Sequence, residues 1–461
     1  MSLLAAYMVP HPPMIIPDVG KGSEKQVQLT IQSYERVADE LAGLSPETII
    51  ISSPHSIMYS DYFHISPGSK ATGSFKDFNV PGVSFIEEYD TELVDEICRI
   101  ADASDFPAGT LGEKNKALDH GTMVPLFFIR QKLPDCKIIR LGLSGLPLTD
   151  HYKMGLIIQK AIDKIGRKVI YIASGDLSHK LKPYGPYGFS PEGPEYDARI
   201  MDVCKRAAFE ELFDFEESFL NKAAECGHRS FVIMAGALDG LSVKATEYSH
   251  EDVTGVGYGI CSFIPKDRDD TRHFLDRYLD TLNKTLNEKR SASDEYVKLA
   301  RTTIEAYIKD RKILKIPDDI PDNLKNRRAG TFVSIHKHGY LRGCIGTIAP
   351  TKDSIAEEII GNAISAATTD PRFDPITVDE LPWLDINVDI LGEPEDIDSP
   401  DQLDVKKYGV IVSCGYKRGL LLPDLDGVDT VDQQISIARQ KGGIGEHEPY
   451  TLQRFEVVRH V

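Results

Sequence analysis

Residues 168–179 read Lys-Val-Ile-Tyr-Ile-Ala-Ser-Gly-Asp-Leu-Ser-His, an apolar run of strand length that passes directly into a polar loop. Short runs rich in Ile, Leu and Val and bounded by turn residues are typical of buried strands. The same pattern recurs at Leu3–Met8, Thr48–Ser52 and Lys137–Leu143. Segments with the apolar spacing of amphipathic helices lie between these runs, at Lys25–Leu41 and His151–Ile165. The alternation predicts an α/β domain with a largely buried, mainly parallel sheet and flanking helices.

The composition predicts a cytoplasmic globular protein. The chain has 461 residues, enough for two or three domains, and 41% of them are apolar and 27% charged. A net charge of −18 disfavours nucleic acid or an anionic membrane surface as a general partner. No apolar run reaches the roughly 18 residues of a membrane span, and the N-terminus lacks the pattern of a signal peptide. The scattered cysteines, never in a CxxC pair, favour a reducing compartment over a disulfide framework or a zinc ribbon.

A change of pattern predicts a second domain. Gly255–Ile264 has the pattern of a last strand of the first domain, and a charged break follows at Lys266–Asp270. Ser291-Ala-Ser-Asp294 either has the spacing of a capping box at a helix start or is a polar loop. The pattern beyond it is that of a smaller α+β domain, with candidate strands at Gly330–Ile335, Asp385–Leu391 and Gly409–Ser413. The predicted organisation is a domain over 1–265, a linker over 266–291 and a second domain over 292–461.

Polar residues stand next to the ends of the strands predicted in the first domain. His11 and His55 follow the first two strands, Asp176 and His179 follow the run quoted above, and Glu251 precedes the last strand. In open α/β sheets, ligands bind outside the carboxyl ends of the strands, so we expect these side chains to converge. Two histidines and one carboxylate form the facial triad of non-haem Fe(II) oxygenases, although zinc accepts the same ligands. Turn-forming or capping roles are the alternative for each residue taken alone.

The second predicted domain contains Leu341-Arg-Gly-Cys-Ile-Gly-Thr347, which has the pattern of a strand followed by a turn. Arg342 and Cys344 are two positions apart, so they would share one face of that strand. A guanidinium group beside the thiol would lower its pKa and favour the nucleophilic thiolate. We therefore predict that Cys344 lies in or beside a cleft lined by Arg342 and Arg372. The alternative is a small, inert cysteine packed between glycines.

Five motifs follow one another along the first domain: Val9-Pro-His-Pro-Pro13, Ser53-Pro-His55, Leu118–Leu126, Ser174–His179 and Gly255-Val-Gly-Tyr258. Together they resemble the class III (LigB-type) extradiol ring-cleavage dioxygenases, a superfamily that includes the Memo proteins. The resemblance implies that His11, His55 and Glu251 bind Fe(II), with Glu247 and His250 close to the last of them. It also implies that His179 is the acid–base residue and that His120 lies beside the metal. Asp176 would orient His179 or shape its loop.

The second half of the chain resembles the AMMECR protein family. The matching stretches are Leu341–Thr347, Asn362–Ala367, Asp370–Pro375, Gly419–Pro423 and Gln434–Gly443. This resemblance implies an α+β fold and no particular reaction. A LigB/Memo-like unit joined to an AMMECR unit is similar to the fused protein of the AmmeMemoRadiSam system, which implies a radical S-adenosylmethionine protein as a partner. The chain has no CxxxCxxC motif, so any radical chemistry would belong to that partner.

The leading hypothesis is a ring-cleaving dioxygenase. A catechol-like aromatic substrate and O₂ would meet at Fe(II) held by His11, His55 and Glu251. His179 would remove a substrate proton and later return one, and His120 would hydrogen-bond the substrate or oxygen. One alternative is a metal-binding subunit of a modification system that works with a radical S-adenosylmethionine protein without oxygenase activity. The other is a hydrolase that uses zinc with the same ligands.

Overall fold

The computed structural model describes residues 2–114, 116–425 and 427–461. Its internal contacts separate the chain into two compact units, which divide between Tyr278 and Leu279. Within the described residues, no helix is both long and apolar enough to cross a membrane.

The first unit is an α/β domain, which confirms the predicted fold class. Its strands are β1 (Leu3–Val9), β2 (Thr48–Ser53), β3 (Phe63–His64), β4 (Lys70–Phe75), β5 (Val80–Glu88), β6 (Ala108–Gly109), β7 (Lys137–Gly142), β8 (Val169–Ser174), β9 (Leu241–Glu251) and β10 (Tyr258–Arg268). Its helices are α1 (Pro17–Gly20), α2 (Gln28–Leu44), α3 (Thr91–Ala103), α4 (His120–Ile129), α5 (Leu148–Ile165), α6 (Glu192–Arg206), α7 (Glu217–Ala223) and α8 (His228–Ala237). The four strands predicted from apolar runs correspond to β1, β2, β7 and β8.

The central sheet has the strand order β7–β2–β8–β1–β10–β9. β7, β2, β8 and β1 are parallel neighbours, whereas β10 and β9 are antiparallel and lie at one side. The parallel strands are buried on both faces. α2 and α4 share an apolar core with alternate residues of β1, and α5 and α8 also pack against the sheet. Burial on both faces explains the unbroken apolar sequences of these strands. The carboxyl ends of β1, β2 and β8 therefore lie at one edge of the sheet.

The segment predicted as a linker contains a helix, α9 (Phe274–Ala292), and the division between the two units falls inside it. Neither alternative given for Ser291–Asp294, a capping box that begins at Ser291 or a polar loop, describes the whole segment, since α9 continues through Ser291 and Ala292. Asp294 is instead the N-cap of the next helix, α10 (Glu295–Asp310), where its side chain accepts hydrogen bonds from two backbone amides. The domain limits predicted from the sequence, 1–265, 266–291 and 292–461, remain predictions.

The second unit has the α+β fold predicted for it, with an antiparallel sheet. Its strands are β11 (Thr331–Lys337), β12 (Tyr340–Gly346), β13 (Leu384–Leu391), β14 (Glu395–Ile397), β15 (Tyr408–Cys414), β16 (Lys417–Leu421) and β17 (Thr451–His460). Its helices after α10 are α11 (Asp322–Asn326), α12 (Ile355–Thr368) and α13 (Val431–Lys441). The strand order is β12–β11–β13–β17–β15–β16, and β14 pairs with β17. α10 and α12 pack against β11 and β13 around one apolar core.

Candidate metal centre

Three loops of the first domain meet at the carboxyl edge of the parallel strands. His11 follows β1, His55 follows β2, and Asp176 and His179 follow β8. Because these strands are neighbours in the sheet, their ends carry the side chains towards one point. The ring centroids of His11 and His55 are 4.7 Å apart, and their Nε2 atoms are 3.0 Å apart. The structure therefore brings together the two histidines that we expected to share a metal ion.

His11 is held in one orientation by residues around the end of β8. Its side chain is buried, and its Nδ1 lies 2.9 Å from the Ser174 hydroxyl. Ser174 donates its own proton to the carbonyl of Gly121, so its oxygen accepts the hydrogen bond from His11 Nδ1. The Nε2 lone pair of His11 is then directed at the site and is available to a cation. Burial lowers the pKa of His11 to about 4, which keeps the ring neutral at neutral pH.

His55 and His120 complete a cluster of three histidines. His120 lies in the first turn of α4, with its ring centroid 4.0 Å from that of His55 and 5.5 Å from that of His11. Burial lowers the pKa of His55 to about 4, and the charge of His120 adds to the effect. Burial and the charge of His11 likewise lower the pKa of His120 to about 4. All three rings are therefore neutral, which is the form that binds metal ions.

Cys226, in the loop between α7 and α8, supplies a third donor atom. Its Sγ is 3.6 Å from His11 Nε2, and the donor atoms of His11, His55 and Cys226 all lie within 4.8 Å of one another. A Cβ on Gly175 would lie only 2.1 Å from the Gly227 Cα, so glycine is required where the loop after β8 meets the Cys226 loop. Burial raises the pKa of the Cys226 thiol, and nearby carboxylates raise it further.

These three donors fit one transition-metal ion. Metal–nitrogen bonds of about 2.0–2.1 Å and a metal–sulfur bond of about 2.3 Å suit donor atoms at this spacing. Imidazole and thiolate suit zinc, copper or iron, whereas magnesium and calcium prefer oxygen. A bound cation would also stabilise the buried Cys226 as a thiolate, because a coordinating thiol loses its proton. Among the described residues, no second group of His, Cys, Asp or Glu side chains has a comparable arrangement.

His179 and Asp176 form a pair beside the donors. The Asp176 carboxylate accepts a hydrogen bond of 2.8 Å from the His11 amide and lies 3.8 Å from His179 Nε2. His179 Nδ1 donates to the carbonyl of Ala224, so Nε2 is the nitrogen that faces Asp176. Burial alone would lower the pKa of His179, but the contact with Asp176 raises it above its ordinary value. Burial alone would raise the pKa of Asp176, but His11 and His179 lower it. A carboxylate that orients an imidazole in this way suits acid–base chemistry.

Glu251, the carboxylate expected to bind the metal, has a different position. It ends β9, two strands from β1 in the sheet. Its carboxylate accepts hydrogen bonds of 2.6 Å from both the amide and the hydroxyl of Thr30. Thr30 lies in the first turn of α2, where the amides have no partner within the helix and Val27 supplies no side-chain cap. Glu251 therefore caps α2, and the structure places Cys226, not Glu251, beside His11 and His55.

A cavity of about 740 Å³ opens beside His55 and His120. Phe78, Leu118 and Met123 form part of its wall. The ring of Phe78 packs edge-on against His120, with the centroids 5.6 Å apart. This volume is typical of small-molecule sites, and an apolar wall next to metal-binding side chains suits an aromatic ligand.

The residues predicted for a site in the second domain fall into two sets. Cys344 lies on β12 and is partly exposed, and Arg372 donates a hydrogen bond of 3.3 Å to its carbonyl. Arg342 does not have the expected role beside the thiol, because its guanidinium binds both carboxylate oxygens of Glu380 at 2.9 Å. Glu380 is buried, and a bidentate cation compensates the cost of burying its charge. Arg342 is therefore part of a structural ion pair, whereas Arg372 contacts the backbone of Cys344.

Cys226 is a candidate metal ligand that was not predicted from the sequence. The histidines were found because they follow apolar strands, but Cys226 lies between two helices. Its local signal is the sequence Ala-Ala-Glu-Cys-Gly-His at 223–228, in which a thiol and a glycine stand directly before a helix. That pattern alone does not separate a metal ligand from an ordinary buried cysteine.

Both domains match known protein families. Residues 5–261 match the model for the catalytic LigB subunit of aromatic ring-opening dioxygenase, and residues 297–460 match the AMMECR1 model. A protein of Clostridium acetobutylicum is 40% identical over 469 aligned residues, which cover 100% of this chain and 99% of that protein. A protein of Thermotoga maritima is 51% identical over 167 residues, which cover 36% of this chain and 96% of that protein. The names of these relatives state no activity.

Two solved structures are similar to parts of the chain. An uncharacterized protein from Pyrococcus horikoshii is 30% identical and covers 36% of this chain and 88% of its own, with a TM-score of 0.34. An uncharacterized protein from Escherichia coli K12 is 17% identical and covers 56% of this chain and 99% of its own, with a TM-score of 0.40.

Proposed function

Because the chain belongs to the family of LigB-type ring-opening dioxygenases, with an AMMECR1 domain following, we propose that its first domain is a metal-dependent oxygenase of catechol-like aromatics. The observation that carries this proposal is the group of His11, His55 and Cys226 beside the pair formed by Asp176 and His179. Fe(II) is the proposed metal, and it would supply Lewis acidity and electrons for the reduction of O₂.

The cavity beside the histidines is the proposed substrate site. Phe78, Leu118 and Met123 provide an apolar wall for an aromatic ring. His120 has a neutral ring at the edge of the same cavity, so it can hydrogen-bond a substrate hydroxyl. A ring held against this wall would present its hydroxyl groups to the side where the donor atoms of His11 and His55 lie.

His179 is the proposed acid–base residue. Its Nδ1 is held by the Ala224 carbonyl, so its Nε2 takes the proton of a substrate hydroxyl. The Asp176 carboxylate then stabilises the imidazolium that forms, and the same proton can be returned to the product. The raised pKa of His179, which results from Asp176 in spite of burial, supports this role.

Oxygen uptake by anaerobically purified, Fe(II)-loaded protein tests the proposal on a panel of catechols. We expect uptake with at least one catechol, together with a ring-opened product. His179→Gln should lower the rate about 10²–10⁴-fold without changing the iron content. The control is His447→Gln, which alters an exposed histidine of the second domain and should leave the rate unchanged. Iron-loaded protein that consumes no oxygen with any catechol would contradict the proposal.

The Cys226 thiol favours a second candidate function. A thiolate in place of a carboxylate suits zinc or copper better than it suits the facial triad of the oxygenases. In this second proposal the domain holds its metal without cleaving rings, either as a hydrolase or as the metal-binding partner of a radical S-adenosylmethionine protein. Zinc in anaerobically purified protein, with no oxygen uptake after iron loading, would favour this candidate over the first.

A further inference from the structure

A buried carboxylate outside the proposed metal centre contacts the loop that carries Asp176 and His179. This carboxylate belongs to Asp197 in α6, and its side chain is only 3% exposed. Its Oδ1 atom accepts a hydrogen bond of 2.9 Å from the amide of Ser178, the residue directly before His179. Burying a carboxylate costs free energy unless other groups compensate its charge, so the partners of Asp197 decide what it can do.

His250, near the end of β9, is the charged partner of Asp197. Its Nε2 atom lies 2.7 Å from Asp197 Oδ2, and Asp197 raises the pKa of His250, which favours the imidazolium. Burial raises the pKa of Asp197, so the carboxylate depends on His250 and on the Ser178 amide to stay ionised. The two other carboxylates that act on His250 each have a lysine partner, in the pairs Asp252–Lys182 and Glu247–Lys205. The ion pair therefore ties β9 and α6 to the loop after β8.

The backbone of Gly257 holds the same loop. Its carbonyl accepts a hydrogen bond of 2.9 Å from the Leu177 amide, and its own amide donates one of 2.8 Å to the Ser178 carbonyl. A Cβ on Gly257 would lie 2.0 Å from Asp197 Oδ2, so glycine is required for the carboxylate to come this close. Ser178 is thus fixed at both its amide and its carbonyl. Because Asp176 and His179 flank this fixed stretch, its position sets the 3.8 Å separation of their side chains.

We propose that Asp197 is a positioning residue for the acid–base pair of the first domain, since it fixes the spacing between Asp176 and His179 through the Ser178 amide, and that His250 keeps it in place. This inference rests on the proposed role of His179. Burial lowers the pKa of His179, and the contact with Asp176 raises it above its ordinary value. If Asp197 no longer fixes the loop, this contact should weaken and the pKa of His179 should fall.

The pH dependence of histidine acylation measures this pKa. Diethyl pyrocarbonate acylates the neutral imidazole, so the rate at each pH reports the neutral fraction of that histidine. After reaction of the full-length protein, trypsin releases His179 within 169–180, a peptide that has no other histidine. The exposed His447 is alone within 442–454 and is the internal reference. The measurement needs neither substrate nor turnover, so a failed oxygenase assay does not change its result.

Variants of Asp197 separate its position from its charge. Asp197→Ala should lower the midpoint of His179 by about 1 pH unit, the effect expected when a carboxylate moves away from an imidazole. Asp197→Asn should retain the native midpoint, because its amide oxygen still accepts the hydrogen bond from Ser178. Asp202→Ala is the matched control, since it removes an exposed carboxylate from the same helix and should leave the midpoint unchanged.

His250→Ala is a second test for the case in which Asp197→Ala does not fold, because His250 is 31% exposed. Without this cation the buried Asp197 carboxylate is destabilised and holds the Ser178 amide less firmly, so the midpoint of His179 should again fall. An unchanged midpoint in either of these variants would overturn the proposal. An equal fall in Asp197→Asn and Asp197→Ala would also overturn it, because Asp197 would then act through its charge and not through its position.

Discussion

The Ser174 hydroxyl decides which nitrogen of His11 faces the candidate metal centre. It accepts the Nδ1 proton because its own proton is donated to the Gly121 carbonyl. Without this partner, His11 can rotate or change its tautomer, and its Nε2 lone pair is no longer fixed.

We therefore expect Ser174→Ala to weaken metal binding about 10–100-fold, as is usual for residues that orient a metal ligand. Competition with a chelating dye measures the change. Ser52→Ala is the control, since this buried serine on the neighbouring strand bonds to Ser230 and to neither histidine. Equal metal affinity in the two variants would mean that Ser174 has no part in orienting His11.

At the level of elements, the Glu251 carboxylate at the end of β9 accepts hydrogen bonds from Thr30 in the first turn of α2. We expect Glu251→Ala to lower the free energy of unfolding by about 0.5–2 kcal/mol, the usual effect of losing a helix cap. Metal content should not change. Denaturant unfolding and metal analysis measure the two effects. The control is Glu247→Ala on the same strand, which removes an ion pair of 3.8 Å and should alter stability by less than about 1 kcal/mol.

The junction of β7 and α5 should make the first domain sensitive to acid. His151 in α5 is buried, and burial lowers its pKa from 6.5 to about 3. Between these two values the unfolded chain binds a proton that the folded chain does not bind. The contribution of the neutral His151 to the free energy of unfolding is therefore fully present above pH 6.5. It is lost as the pH decreases towards 3, by at most about 1.4 kcal/mol per pH unit. Unfolding of His151→Gln across this range should show a shallower decline, and an unchanged slope would contradict the assignment.

Some strands and the convergence of the histidines that follow them could be predicted from the sequence, and other features could not, for physical reasons. Strands buried on both faces have unbroken apolar runs, so β1, β2, β7 and β8 and the histidines that follow them were predictable. β9 is an edge strand in which charged residues such as Lys244 and Glu247 interrupt the pattern, and it was not predicted. Cys226 reaches the site through the contact between Gly175 and Gly227, which no local pattern indicates.

For the molecule as a whole, the two compact units predict two separately stable fragments. α9 lies across the division between them, and the segment 266–291 contains lysine and arginine residues, after which trypsin cleaves. Limited digestion of the full chain should cut first within this segment and leave two fragments that resist further cleavage. Mass spectrometry of the early products locates the cuts. First cuts spread through both domains, or a chain that resists cleavage as one unit, would contradict this expectation.

In the proposed metal centre, His11, His55 and Cys226 hold one metal ion in the first domain. Absorption spectroscopy of the cobalt(II)-substituted protein tests it most directly, because a thiolate ligand gives a charge-transfer band in the near ultraviolet. We predict that the native protein binds one cobalt ion and shows this band, that Cys226→Ser abolishes it, and that Glu251→Gln retains it. A band that persists in Cys226→Ser, or cobalt binding that is lost in Glu251→Gln, would contradict the account.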